Sequence, residues 1–500
     1  MRNLPFLFVV LLASCQVFSD ENRKGQQSKI MTIDTVQLEA IYQQYKEPAI
    51  YHRRFKHRDV DSILQQHRGK GVLSVEQIGS SFEGRAIYEV GYGRGEKKVM
   101  LWSQMHGDEP TATMALLDLF NFLSAQNDGF DTIRQLIFDN LELHFIPLLN
   151  PDGAEIFARR NAQQIDLNRD ARVQHTTEAS LLRERAEAVK PRYGFNLHDQ
   201  NIYYNVPDTK NPVAISLLAP AYNEAREVNE VRRGAMQLIV GMNRLLQQYV
   251  PDAVAKYDDT HSPRGFGDNF QSWGASTVLI ESGGYKGDPE KQFIRKLNFC
   301  IILQALMEIA EGSYVDYPVE EYEQIPFNAA QLHDVIIRNV QLQRDTQSYH
   351  TDIAIRRGEF TVGRDYYVRG RIEDIGDLYA NYGYDELDLT GYSFMEGKVA
   401  ERPIQDLSEL NEQSVLDYLR RGIIAVRILS IGENKEDRLH SWPIVLFSQP
   451  NFFPTKTIDL GGTANFFIAD QSGQLRYAVV NGYLIDLAEE RIPMVKNRIL

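Results

Sequence analysis

Two textures of apolar and polar residues divide this chain of 500 residues. As far as Ser313, short apolar or β-branched runs alternate with longer stretches whose apolar residues recur at helical spacing. The runs Ala86–Tyr92, Lys98–Ser103, Leu141–Leu148, Gly194–Leu197 and Ser276–Glu281 predict strands. The stretches Thr111–Leu123, Thr176–Val189, Pro220–Tyr249 and Asp288–Glu311 predict helices, because a helical period gathers such positions on one face. Pro110 stands where the first helix begins, a position whose N–H has no partner inside a helix anyway. Strands alternating with helices predict an α/β domain, with a mixed sheet covered by helices on both faces.

Beyond Ser313 the periods change. Tyr314–Asn328 is acidic, holds two prolines and reads as a linker. After it come short β-branched and aromatic runs at Val335–Ile337, Ile353–Arg356, Asp365–Arg371, Gly422–Leu429, Trp442–Phe447, Asn465–Ala469 and Tyr477–Leu484. Turn residues separate most of them, and one helix is expected at Leu407–Arg420. This predicts a smaller, β-rich, sandwich-like domain over 335–500. The expected organisation is therefore a leader at 1–15, a polar tether and N-terminal segment at 16–44, an α/β domain at 45–313, a linker at 314–334, and the β-rich domain, read as an accessory to the first.

Composition changes the picture in two places. The 54 basic and 68 acidic residues give a net charge of −14, which argues against nucleic acid as a partner, since phosphate binding needs a basic face. The two cysteines, Cys15 and Cys300, stand in very different surroundings. Arg2 precedes the apolar run Leu4–Leu12, which is too short for a comfortable membrane span. The run ends in Leu12-Ala13-Ser14-Cys15, small residues before a cysteine, which resembles the lipobox of bacterial lipoproteins. That resemblance implies cleavage before Cys15 and a lipid anchor on it; the alternative is an ordinary secreted protein cut nearby, for example after Ser19. Cys300 lies in the apolar run Phe299–Leu306, so processing at Cys15 would leave no internal disulfide.

Candidate chemistry gathers at strand ends, where sites assemble in open α/β sheets. His106-Gly107-Asp108-Glu109-Pro110 follows the strand Lys98–Ser103 and puts an imidazole and a carboxylate in one tight turn, able to give two ligands to one Zn²⁺. Asn150-Pro151-Asp152-Gly153 turns the chain after a second strand, Arg160-Asn161 precedes Asp166-Leu167-Asn168-Arg169, His198 closes the run from Phe195, and Glu281 closes the run from Thr277. There is no HExxH helix, no GxSxG elbow and no P-loop, and Gly91–Gly95 reads as a hairpin turn.

In that order these motifs resemble those of the zinc carboxypeptidases of the carboxypeptidase A family, over roughly Tyr45–Ser313. The resemblance implies one Zn²⁺ held by His106, Glu109 and His198 with a fourth position open, as in catalytic sites. It implies Glu281 as general base, Arg160 as the cation for the oxyanion, and Asn168 with Arg169 as the clamp for a free C-terminal carboxylate. Asp166 would bond a ligand histidine and fix its tautomer. Tyr257 is the nearest candidate for the family's substrate-contacting tyrosine, although its offset is unusual. Gly267 falls where the residue that reads the substrate's C-terminal side chain would stand, so substrate preference does not carry over. The implied activity is zinc-dependent hydrolysis of C-terminal peptide bonds in extracytoplasmic peptides. Two alternatives share the chain: an amide deacylase or peptidoglycan stem-peptide amidase on the same site, and a non-catalytic peptide-binding module.

Overall fold

Eight strands of the first half lie side by side in one sheet, the central ones buried on both faces. They are β1 (Ser74–Ser80), β2 (Ala86–Tyr92), β3 (Lys97–Ser103), β4 (Leu141–Ile146), β5 (Tyr193–Asp199), β6 (Ile215–Leu218), β7 (Val254–Lys256) and β8 (Ser276–Ser282). The structure is a computed structural model that describes residues 33–449 and 454–500. The leader run and Cys15 lie outside the described residues. Among the described residues, no helix is long and apolar enough to cross a membrane. Residues 33–500 form one compact unit.

The sheet order is β1-β2-β4-β3-β5-β8-β6-β7. The pairs β4–β3, β3–β5 and β5–β8 are parallel, whereas β2 and β6 run antiparallel to their neighbours β4 and β8. β8 is buried along its whole length, and helices cover both faces of the sheet, which is why its centre reads as unbroken apolar sequence. Helices Thr177–Val189 and Phe266–Ser272 pack on the face carrying Met100 and Trp102, where Trp102 stacks on Phe270 with centroids 4.1 Å apart. Helices Thr111–Ser124 and Gln292–Glu311 cover the other face, joined by the fully buried Asp118–Arg295 pair (Nε to Oδ2, 2.7 Å).

The expected helix from Pro220 begins only at Glu230, because Asn229 accepts from the Arg232 N–H and caps it there. The expected helix from Asp288 begins at Gln292; the Asp288 carboxylate instead bonds the N–H groups of Gln292 and Phe293. The segment read as a linker forms short helices at Ser313–Asp316 and Val319–Gln324, whose Tyr314 and Tyr322 are buried.

The β-rich half is built on three long strands, β9 (Leu332–Arg344), β10 (Gln347–Val362) and β11 (Asp365–Gly376), paired antiparallel in succession. Tyr382–Asp388 and Ser393–Met395 pair with β9 in parallel, and Phe466–Ala469, Leu475–Val480 and Tyr483–Asp486 complete the sheet. The sheet is thus mixed. Helix Glu412–Arg420 and the parallel strands Ile423–Arg427 and Val445–Phe447 pack with Phe467, Ala478 and Val480 in one apolar cluster.

The two halves meet through polar and charged contacts. Tyr203 Oη donates to Asp334 Oδ2 at 2.5 Å, Arg364 bonds Asp59 at 2.6 and 3.1 Å, and Glu359 accepts from Arg53 at 2.8 Å and from Arg54 at 2.7 Å.

Candidate metal centre and active site

Three adjacent parallel strands, β3, β5 and β8, end at one place, and each delivers chemistry there. β5 and β8 are in register with His198 opposite Glu281, so the two side chains point to the same side of the sheet. The chain leaves β3 through Gln104, held at φ 50° with its amide on the Gly107 carbonyl at 2.9 Å, and turns His106 and Glu109 toward that point. Gly107 is required by close approach: a Cβ there would stand 2.0 Å from the carbonyl carbon of Gly153. Asn150 locks the same junction. Its side-chain oxygen caps helix Pro151–Ile156 by accepting from the Gly153 N–H at 2.9 Å, and its amide donates to the Met105 carbonyl at 3.1 Å.

His106 Nδ1 lies 2.9 Å from Glu109 Oε1, and His198 Nδ1 lies 2.7 Å from Glu109 Oε2. One donor atom from each of the three residues falls within 4.8 Å of the others, and all three side chains are buried. Two imidazoles and one carboxylate are the donor set of open catalytic zinc sites. The rest of His106 supports that use: its Nε2 faces Asp166 Oδ1 at 3.0 Å, which favours the proton on Nε2 and leaves the Nδ1 lone pair toward the centre. These residues fit a zinc ion.

The charges around this point are strongly coupled. Although burial opposes it, His106 and His198 hold Glu109 well below the usual carboxylate range. Burial likewise opposes the low value of Asp166, where His106 and Arg159 prevail. Glu281 goes the other way: burial first, then the nearby Glu109 charge, push it well above the usual range. The two neighbouring carboxylates are thus driven apart in proton affinity. Behind them, Asp199 accepts from Thr111 Oγ1 at 2.6 Å and pairs with Lys291 at 3.1 Å, tying the ends of β5 and the Glu109 turn to the loop after β8.

The guanidinium at the centre belongs to Arg159, not to Arg160. Arg159 donates from Nη1 to Glu109 Oε1 at 2.9 Å and from Nε to Asp166 Oδ2 at 3.2 Å, and Nη1 stands 3.1 Å from His106 Nδ1. Arg160 is exposed and donates to the Gln164 carbonyl at 2.9 Å. Phe157, two residues before Arg159, caps the preceding helix at φ 54°. The sequence reading named Arg160 alone; the signal that it passed over was the arginine immediately before it.

The remaining expected residues are near. The Asn168 amide nitrogen is 3.4 Å from His198 Nε2, and its oxygen accepts from the Phe266 N–H at 2.9 Å. Arg169 is exposed, donates to the Asn168 carbonyl at 2.7 Å and pairs with no carboxylate among the described residues. Tyr257 follows β7; burial, then the Glu281 charge, raise its phenol. Gly267 lies against Asn196, whose amide nitrogen would be 3.1 Å from a Cβ there. Asn196 is buried on the same side of β5 as His198 and its Oδ1 has no hydrogen-bond partner.

Residues 62–198 match the family model described as zinc carboxypeptidase. Carboxypeptidase SOL1 of Arabidopsis thaliana is 47% identical over 66 residues, 13% of this chain and 13% of that protein. The human carboxypeptidase N catalytic chain is 30% identical over 141 residues, 23% of this chain and 31% of that one. Human carboxypeptidase D is 26% identical over 306 residues, 54% of this chain and 22% of that one. The match thus spans less than a third of each of these relatives. Among solved structures, a metallo-carboxypeptidase from Burkholderia cenocepacia is 18% identical with a TM-score of 0.42, covering 52% of this chain and 70% of that one.

Proposed function

We propose that this chain, whose residues 62–198 match the zinc carboxypeptidase family model, hydrolyses the C-terminal peptide bond of peptides bearing a free α-carboxylate. The observation that carries the reading is the convergence of His106, Glu109 and His198 beside a Glu281 whose proton affinity is raised by burial and by Glu109. A zinc ion held by those three side chains supplies the Lewis acidity that makes water a nucleophile near neutral pH. Glu281 accepts the proton of the attacking water and delivers it to the leaving amine, a role suited to a carboxyl with raised proton affinity. Arg159, rather than Arg160, stabilises the developing oxyanion. Asp166 keeps His106 in its donor tautomer. Arg169, at the exposed edge of the site and without a carboxylate of its own, offers a planar fork to the substrate's terminal carboxylate, with Asn168 beside it. Tyr257 closes over the substrate from the β7 side.

We assign the catalytic role to 45–313 and place the enzyme outside the cytoplasm, anchored through Cys15; the support is the short apolar run Leu4–Leu12 ending in small residues before that cysteine. The test is mass spectrometry of a mixed peptide pool incubated with the protein, with and without a chelator, using matched peptides ending in carboxylate or carboxamide. Release of single C-terminal residues from free acids alone, abolished by the chelator, is the expected result. Equal cleavage of amidated peptides would refute the carboxypeptidase reading and favour an amidase or endopeptidase.

A further inference from the structure

The β-rich half reaches the catalytic arginine through one stack of side chains. Phe157 stands two residues before Arg159 with φ 54°, the left-handed region that bulky residues avoid and that persists only when neighbours hold it. Its ring faces the Arg54 guanidinium, with Cζ 4.2 Å from the ring centroid, and the ring of Tyr366 faces the same guanidinium from the other side at 4.1 Å. Tyr366 lies at the start of β11, and the carboxylate that neutralises Arg54, Glu359 at 2.7 Å, lies on β10. Thr361 of β10 accepts from Arg54 Nε at 3.2 Å. The Arg54 side chain is 2% exposed, so it has no solvent to replace these partners. The turn between the strands is fastened separately, by Arg364 to Asp59 at 2.6 and 3.1 Å.

From these contacts we infer that the β10–β11 hairpin is a positioning element for catalysis: Tyr366 and Glu359 fix Arg54, Arg54 fixes Phe157, and Phe157 aims Arg159 rather than Arg160 at the metal centre. Tyr366 and Glu359 touch neither substrate nor metal ligand; they act through Arg159. The inference rests on the proposed peptidase reading for its kinetic consequences, and on geometry alone for the placement of Arg159. A displacement of about 1 Å in a group that stabilises a transition state can cost up to about a hundredfold in rate.

The test uses the full-length chain and the variants Tyr366→Leu, Tyr366→Phe and Glu359→Gln, alone and combined with Arg159→Ala. Tyr366→Leu should lower kcat by about 10- to 100-fold with KM within about twofold and zinc still at one per chain, and Tyr366→Phe, which keeps the ring, should recover most of the rate. In the Arg159→Ala background Tyr366→Leu should cause no further loss, because both changes remove the same function. Losses that multiply in the double variant would overturn the inference, as would a Tyr366→Leu enzyme with unchanged kcat. Arginine side-chain ¹⁵N NMR supplies a readout that needs no turnover: the Arg159 Nε–H, bonded to Asp166 and identified by its disappearance in Arg159→Lys, should be protected from exchange in the wild type and in Tyr366→Phe but not in Tyr366→Leu. Protection that survives Tyr366→Leu refutes the positioning role; its loss in a protein without peptidase activity supports the positioning and refutes the peptidase instead. If Glu359→Gln unfolds the chain, Tyr366→Leu decides alone, since it leaves the Arg54–Glu359 ion pair intact.

Discussion

Replacing each of two consecutive arginines by alanine separates the geometry from the motif. Arg159 donates to Glu109 at 2.9 Å and to Asp166 at 3.2 Å, and its side chain is 44% exposed, so one side faces the centre and the other faces the cleft. Because of that exposure its ion pairs contribute little to folding. Its charge matters most where an oxyanion develops, and removing one such preorganised donor typically costs about 2.7–4 kcal/mol, or about 10²–10³ in kcat. Arg160 makes one exposed bond to the Gln164 carbonyl, and an exposed substitution of this kind stays within about 0.5 kcal/mol, roughly a factor of two. The assay is steady-state hydrolysis of one peptide ending in a free carboxylate, with zinc content measured on each preparation. Arg159→Ala should retain zinc, since it removes a positive charge from beside two carboxylates, and lose two to three decades of kcat. Arg160→Ala should resemble the wild type. Equal losses in the two variants, or a larger loss in Arg160→Ala, would refute the assignment drawn from the structure.

Three other expectations follow from particular contacts. Glu281→Gln should keep its zinc and its fold while losing about 10²–10⁴ in kcat, since an amide cannot carry the proton; more than a tenth of wild-type kcat would show that another group is the base. Glu308 is buried, with Oε1 accepting from Gln304 and Tyr317 and Oε2 unpartnered, and burial raises it to about 7 from an ordinary 4.5. The fold therefore favours its neutral form, and this carboxyl should cost stability progressively as pH rises from about 4.5 to about 7, by on the order of 3 kcal/mol in all. Glu308→Gln should gain on the wild type across that window in urea-unfolding midpoints, and a constant difference from pH 4 to pH 8 would show that Glu308 does not titrate there. A chain ended before Val335 lacks Glu359 and so leaves the buried Arg53 and Arg54 without their close carboxylate; it should fail to give a soluble, zinc-binding monomer by size-exclusion and metal analysis, whereas a well-behaved one would show that the halves fold independently.

The candidate metal ligands could be named from the sequence because their motifs stand in the order of the zinc carboxypeptidases they resemble. His106 and Glu109 share one turn, and His198 and Glu281 each close an apolar run that could only be a buried strand. Arg159 was not legible, because the choice between adjacent arginines is made at Phe157, whose backbone is held by residues some hundred and two hundred positions away along the chain. β6 and β7, of four and three residues, are too short for periodicity to register. The long strands β9 to β11 each read as one short run, because polar residues take up much of their length and buried stretches such as Val335–Ile337 and Ile353–Ile355 stand out. Nothing in local patterning indicates that Tyr382–Asp388 pairs with β9 in parallel, since that pairing is decided by the chain's path rather than by its composition.

The contact between Gly107 and Gly153 has a consequence for anyone who would remodel this cleft. Gly107 sits where the other turn's backbone passes, with 2.0 Å between a would-be Cβ on it and the carbonyl carbon of Gly153, while a Cβ on Gly153 would stand 2.8 Å from the carbonyl oxygens of Ala158 and Arg160. The turn that carries two candidate metal ligands and the turn that launches the helix toward Arg159 are thus a single mechanical part. A combinatorial library that randomises either turn alone will mostly sample collisions. One that exchanges both turns together, with Asn150 as their common fastener, would search the shapes this scaffold can adopt.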